Sequence, residues 1–223
     1  MINHSREQIE TALFNVLSSD QIFQGTSDGL VTISGIAPLQ YQGLYFGETI
    51  TGTGVPDGTV IADLPSAGVI TLSNPVPAGA VNLVGQIFKR KERRLVEPGN
   101  VPPEQRPALC VFPAISAEHY LTEGPGIPPT ITLNMIAIVY ISSKQATESS
   151  GPPPMSFLNP IVDALVSIKL APDLMTLQQT LGKDSTGKPY CHHAYIEGEI
   201  IKNGGDLDGL GVAIIPIKIL VPW

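Results

Sequence analysis

Apolar residues recur at different spacings in different parts of the chain, and each spacing predicts a different element. Near the start, Ile9, Leu13, Val16 and Leu17 fall on one helical face. Ser5-Arg6-Glu7-Gln8 has the spacing of a capping box, in which a Ser hydroxyl and a Gln amide satisfy free backbone donors. An amphipathic helix is therefore expected from Ser5 to Leu17, with its stripe laid on a sheet. From residue 24 to 88 the pattern changes to short β-branched runs at 30–34, 45–51, 59–62, 69–73 and 81–88. Turn signals such as Gly52-Thr53-Gly54-Val55-Pro56-Asp57-Gly58 separate them, as in a small sandwich or barrel.

The longest alternating run is 130–142, with Ile131, Leu133, Met135, Ala137, Val139 and Ile141 on one face. Its other face begins polar at Thr130, Thr132 and Asn134 and turns apolar at Ile136, Ile138 and Tyr140. That change predicts a strand whose far end is covered on both sides, with a helix as the expected cover. A buried strand is read at 108–112, after a Pro-rich connection over 96–107 that suits neither helix nor central strand. Asn159-Pro160 predicts a helix start, and Ile161, Val162, Leu165, Val166 and Ile168 give that helix a wide apolar face up to Leu170. Leu174, Leu177 and Leu181 suggest a second short amphipathic segment ending at Gly182, and strands at 190–202 and 211–221 form a closing hairpin. Pro216 in the outgoing arm is expected at an edge or a bulge.

Charge divides this pattern in two. No Lys, Arg or His occurs between Gln24 and Phe88, and five of the 13 basic side chains then arrive together as Lys89, Arg90, Lys91, Arg93 and Arg94. The helix before the basic-free stretch needs the sheet built after it. Residues 24–87 are accordingly read as an inserted all-β domain, sandwich or barrel, and residues 1–23 with 88–223 as the host. The host is expected to be α+β, a mainly antiparallel sheet covered by helices.

Hydrophobic residues make up 43 % of the chain and charged ones 15 %, which fits a packed core, while 22 Gly and 21 Pro require many turns. A net charge of −7 argues against broad capture of nucleic acid and directs attention to protein partners. Arg6, Glu7 and Glu10 stand where a signal peptide needs an apolar run, and the run around Ile131–Ile141 is too short to span a bilayer, so a cytoplasmically made protein without membrane contact is expected.

Candidate chemistry is sparse. Cys191 and His193 share a strand face, but a zinc site needs three or four ligands, and only His192 is near, with His119 and Cys110 reachable through the fold alone. Both thiols are expected to be ordinary buried ones. Glu197 and Glu199 lie two apart, a solvated strand face being the simpler reading than a carboxylate pair. Gly52-x-Gly54 has no following helix for a phosphate, and no Gly-x-Ser-x-Gly elbow occurs. No enzyme, cofactor or metal is indicated. The basic cluster lacks interleaved aromatics for base stacking, and subunit contact is the preferred role for Lys89, Arg90, Lys91, Arg93 and Arg94. The polar segment 142–154, with Lys144 and Glu148, is read as a loop ordered on assembly.

The sequence of elements has a likeness. An N-terminal helix, a strand pair ending in Arg106-Pro107-Ala108-Leu109-Cys110-Val111-Phe112, the long strand, a helix beginning Asn159-Pro160-Ile161-Val162-Asp163-Ala164-Leu165, the short Leu174–Leu181 segment and a final hairpin to Trp223 follow in turn. This set resembles the tail terminator, or tail completion, proteins of long-tailed bacteriophages. The resemblance covers the host domain and implies a subunit of a hexameric ring that caps the tail tube, ends its polymerisation and offers the head-tail joining surface. It implies tail-tube and connector or neck proteins as partners, a place in the virion after assembly in the host cytoplasm, DNA passing through the ring, and no sequence-specific nucleic-acid contact. It carries no catalytic residue. A head-closure or tail-tube subunit is the neighbouring reading, and a glycan-binding β-module, using Tyr41, Tyr45 and Phe46, is the reading from another class.

Overall fold

A computed structural model describes residues 4–121, 130–142, 155–204 and 210–222, with side chains at 115–121 and 222 left aside. Helix α1, Arg6–Ser18, starts as its sequence predicts: the Ser5 hydroxyl accepts from the Gln8 N–H at 3.3 Å, and Gln8 Oε1 accepts from the Ser5 N–H at 2.8 Å. Ile9, Ala12, Leu13 and Leu17 are buried, while Val16 is only partly so.

Two six-stranded sheets follow. The first contains β1 (Gln21–Ser27), β2 (Thr32–Ser34), β3 (Thr49–Gly52), β4 (Ile61–Ser66), β5 (Val69–Leu72) and β6 (Gly79–Gln86), in the order β3-β6-β1-β2-β5-β4. All its pairings are antiparallel. It is one sheet rolled on itself, with its outer edges touching where the Gly47 N–H donates to the Ile61 carbonyl at 2.8 Å and the Ile61 N–H to the Glu48 carbonyl at 2.9 Å. This is neither a two-sheet sandwich nor a closed barrel. Phe23, Ile33, Ile50, Ile61, Ile70 and Leu83 fill the roll. Strand β1 was not among the expected strands, yet it is central; Gln21, Phe23 and Ser27 turn inward from it. A short helix α2, Pro38–Tyr41, interrupts the roll.

The second sheet comprises β7 (Arg90–Glu92), β8 (Ala108–Leu121), β9 (Thr130–Ser142), β10 (His193–Ile196), β11 (Ile201–Asn203) and β12 (Leu210–Pro222). Its order is β10-β12-β9-β8-β7, with β11 also on β12, and only the β7–β8 pair is parallel. Pro216 lies in a central strand rather than at an edge. Its position falls between the segments of β12 paired with β10 and with β11, next to Gly198, so its missing N–H meets a break in the ladder.

The face of β9 with Leu133, Met135, Ala137, Val139 and Ile141 packs under α1 and helix α3, Met155–Asp163. Helix α3 begins before the expected Asn159 cap and contains Pro160; after it, residues Ala164–Lys169 widen into a π-turn closed by the Leu170 N–H on the Leu165 carbonyl at 2.9 Å. Pro160 is the sixth residue of this helix, so it removes one interior hydrogen bond, and the ladder shifts register from Ala164 onward. The opposite face of β9 is covered by the Pro-rich connection and not by a helix. Val96 and Val101 pack on Ala108, Cys110, Ile138 and Tyr140. The expected amphipathic segment at Leu174 is also not a helix but an exposed loop. The chain is an α+β protein with mostly antiparallel sheets.

Candidate functional site

The basic cluster is split by the fold into two uses. Strand alternation puts Arg90 and Glu92 on one side of β7, where Arg90 Nη2 bonds Glu92 Oε1 at 3.0 Å and Arg90 Nη1 bonds the Asn100 carbonyl at 3.0 Å and Gln105 Oε1 at 2.7 Å. Lys91, on the other side, pairs with Asp20 at 2.8 Å. Arg90 and Lys91 thus tie this chain to itself, and Lys89, Arg93 and Arg94 remain exposed, Arg94 reaching back to Glu92 at 3.6 Å. Lys144 and Glu148 lie outside the described residues.

Cys191 and His193 do not form a site. The Cys191 thiol is buried, donates weakly to the Gln179 carbonyl at 3.6 Å and is pushed up to about 12 by burial. His193 Nδ1 accepts from the Gln179 N–H at 2.9 Å, and burial, followed by the neighbouring His192, holds the ring below its ordinary value. Cys110 is buried under the Pro-rich cover. Among the described residues, no three His, Cys, Asp or Glu side chains gather as a metal ligand set. Glu197 bonds Lys218 at 2.6 Å across to β12, and Glu199 is exposed. The three aromatic residues Tyr41, Tyr45 and Phe46 do not share one exposed face: Tyr45 is buried with its hydroxyl on the Ile87 carbonyl at 2.9 Å, Tyr41 is partly buried, and Phe46 is exposed while meeting Phe157 edge-on at 6.1 Å.

The surface most available for contact is one that sequence periodicity missed. In residues 173–178, Leu174 and Met175 are each 94 % exposed and Leu177 is 71 % exposed. Asp173 fixes this loop. Its carboxylate accepts from the Met175 N–H at 2.9 Å and the Thr176 N–H at 3.0 Å, and its backbone bonds Leu177 at 2.7 Å and Gln178 at 3.0 Å. Those N–H donors hold its carboxyl below the ordinary range. Leu177 takes φ 55°, a left-handed conformation unusual for a branched apolar residue. Gln179 anchors the base, its Nε2 donating to the carbonyls of Lys169 at 2.9 Å and Ala171 at 3.1 Å. The signal in the sequence was Pro172-Asp173, a turn former next to Leu and Met at adjacent positions that cannot share one helix face.

An apolar groove of about 490 Å³ lies where the two parts of the chain meet, lined by Ile36, Tyr41, Leu44 and Leu64 from one side and Pro160 and Asp163 from the other. No helix among the described residues is long and apolar enough to cross a membrane. Comparison with models of known protein families and with curated proteins finds no match to this chain.

Proposed function

We propose that this chain is a structural virion subunit, a tail terminator of a long-tailed bacteriophage, whose ring caps the tail tube, stops its growth and offers the joining surface to the head. The observation that carries the reading is the braced apolar loop at Leu174, Met175 and Leu177. Three large apolar side chains held outward by hydrogen bonds are preorganised for burial against protein, which lowers the ordering cost of association. A closed ring needs a heterologous contact that returns on itself, and that closure is what ends polymerisation. The host order of α1, the long antiparallel strands β8, β9 and β12, and α3 agrees with the resemblance drawn from sequence. Exposed Lys89, Arg93 and Arg94 serve as rim contacts to acidic neighbours.

The test is the assembly state of the purified chain, by light scattering and negative-stain microscopy, alone and with tail-tube protein. Discrete rings that arrest tube growth are expected. Long tubes formed by this chain alone would favour the tube-subunit reading, and a monomer under every condition would overturn both.

A further inference from the structure

Residues 43–48 seat the rolled sheet on the rest of the chain. Gly43 lies so close to Ala164 that an added Cβ would stand 2.5 Å from the Ala164 Cβ. Tyr45 enters the core of the second sheet, and Phe46 packs on Phe157 of α3. At the end of this segment Glu48 is 0 % exposed. Its Oε2 accepts from the Tyr45 N–H at 3.2 Å, its own N–H donates to the Tyr45 carbonyl at 3.2 Å, and its carbonyl accepts from Ile61 at 2.9 Å. Oε1 has no hydrogen-bond partner and rests on Gly85, where any side chain would collide with it. Across from Gly85 in register is Gln21, also buried, whose Oε1 lacks a partner while its amide donates to the Gln40 and Gln42 carbonyls at 2.5 and 3.3 Å.

The groups facing Glu48 are Asp20, Lys169 and the Tyr45 phenol. Lys169 does not neutralise it, because that ammonium is held by the Ser19 carbonyl at 2.7 Å, the Ser19 hydroxyl at 2.6 Å and the Asp20 carbonyl at 3.1 Å. Asp20 is itself paired with Lys91. Burial above all, aided by the Asp20 charge, pushes the Glu48 carboxyl up to about 8, against the opposing Tyr45 N–H and Lys169. The carboxyl is therefore neutral at pH 7.

We propose that Glu48 is a proton-operated latch: its neutral carboxyl keeps residues 43–48 seated, and its ionisation unseats them and loosens the rolled sheet from α3. A carboxylate with an unpartnered oxygen and no exposed surface is strongly disfavoured, so the charge must reach solvent. The backbone of Glu48 is bonded on both sides, and its side chain gains water only if the segment moves. Such a movement breaks the Gly43–Ala164, Tyr45–Ile87 and Phe46–Phe157 contacts together. The latch is independent of the tail-terminator reading.

Hydrogen exchange of the full chain, normalised for intrinsic rates, between pH 6.5 and 9.5 tests this. Opening of residues 44–48 and of α3 is expected to increase on the order of thirtyfold, about tenfold per pH unit up to about 8 and then level, as release of one proton requires. Amides shared by β9 and β12 keep their protection, and Glu48→Gln abolishes the response. Glu48→Met, which also cannot ionise, gives the same reading if the Gln variant does not fold. Unchanged protection in the wild type, an equal loss in the variants, or uniform loss over both sheets would overturn the proposal.

Discussion

The Tyr140 hydroxyl donates to the Val96 carbonyl at 3.0 Å, fastening the Pro-rich connection to the outer face of β9. Both groups are buried, so removal of the donor leaves a carbonyl without its partner. Tyr140→Phe is expected to cost about 1–2 kcal/mol, read as a lower denaturation midpoint at unchanged slope. Faster proteolysis within 95–107 should accompany it. A midpoint within error of wild type would show that the fastening lies instead in Arg90 and its bonds to Asn100 and Gln105.

Helix α1, the long strand β9 and the α+β class were legible because their signals are periodic and local: a capping box, a 3.6-residue stripe, a two-residue alternation. The cover over Tyr140 was not, since 3₁₀ turns at Pro98–Asn100 and Pro103–Gln105 leave no periodic trace. Strand β1 was missed because Gln21, Gln24 and Gly25 break its apolar alternation, although Gln21 is buried. Leu174 and Leu177 have helical spacing, and the Asp173 carboxylate takes the Met175 and Thr176 N–H groups as a helix cap would, but Leu177 turns left-handed at φ 55° and ends the turn there. Which members of the basic cluster face inward depends on Asp20, Glu92 and Asn100, and only the fold brings Asp20 and Asn100 to it.

Gly43 combines φ 97° with its close approach to Ala164, so a side chain there meets both backbone strain and a steric clash. Gly43→Ala is expected to destabilise by about 2–4 kcal/mol. Adding Ala164→Gly should relieve the clash and leave the strain, recovering part of that loss. A double variant no better than the single one would place the whole cost in the backbone.

The buried Glu48 carboxyl also leaves a mark on global stability. Its folded value, about 8, lies above the ordinary glutamate value of 4.5, so between these two limits the folded chain binds more protons than the unfolded chain. Stability is therefore lost as pH rises from about 4.5 to about 8, with a slope approaching about 1.4 kcal/mol per pH unit from this group, and levels above that. The difference between wild type and Glu48→Gln in urea melts across pH 5–9 isolates the contribution from those of other groups. A constant difference would mean that the carboxyl ionises equally in both states.

Asp173 behaves with the opposite sign. Its N–H donors, Thr176 first and then Met175, hold its folded value below 3.8, so the order it gives the loop is present above that value and is lost as pH falls through the lower one. Asp173→Ala should speed exchange at Met175 and Thr176 at neutral pH and leave the core amides of β9 unchanged. If the loop amides stay protected in that variant, the backbone bonds to Leu177 and Gln178 are sufficient to hold it.

The exposed loop gives the most direct test of association. Leu174 and Met175 have almost no contacts to lose within the chain, so Leu174→Asp with Met175→Asp should leave the melting midpoint of the isolated chain within about 0.5 kcal/mol of wild type. The same pair of charges placed in an apolar contact would be desolvated without partners, and assembly should weaken by a factor of a hundred or more on the order expected for a central contact. Sedimentation over a concentration series separates the two effects. Rings that form normally from the doubly charged variant would move the subunit contact away from this loop, and the exposed Lys89, Arg93 and Arg94 would then be the next surface to alter.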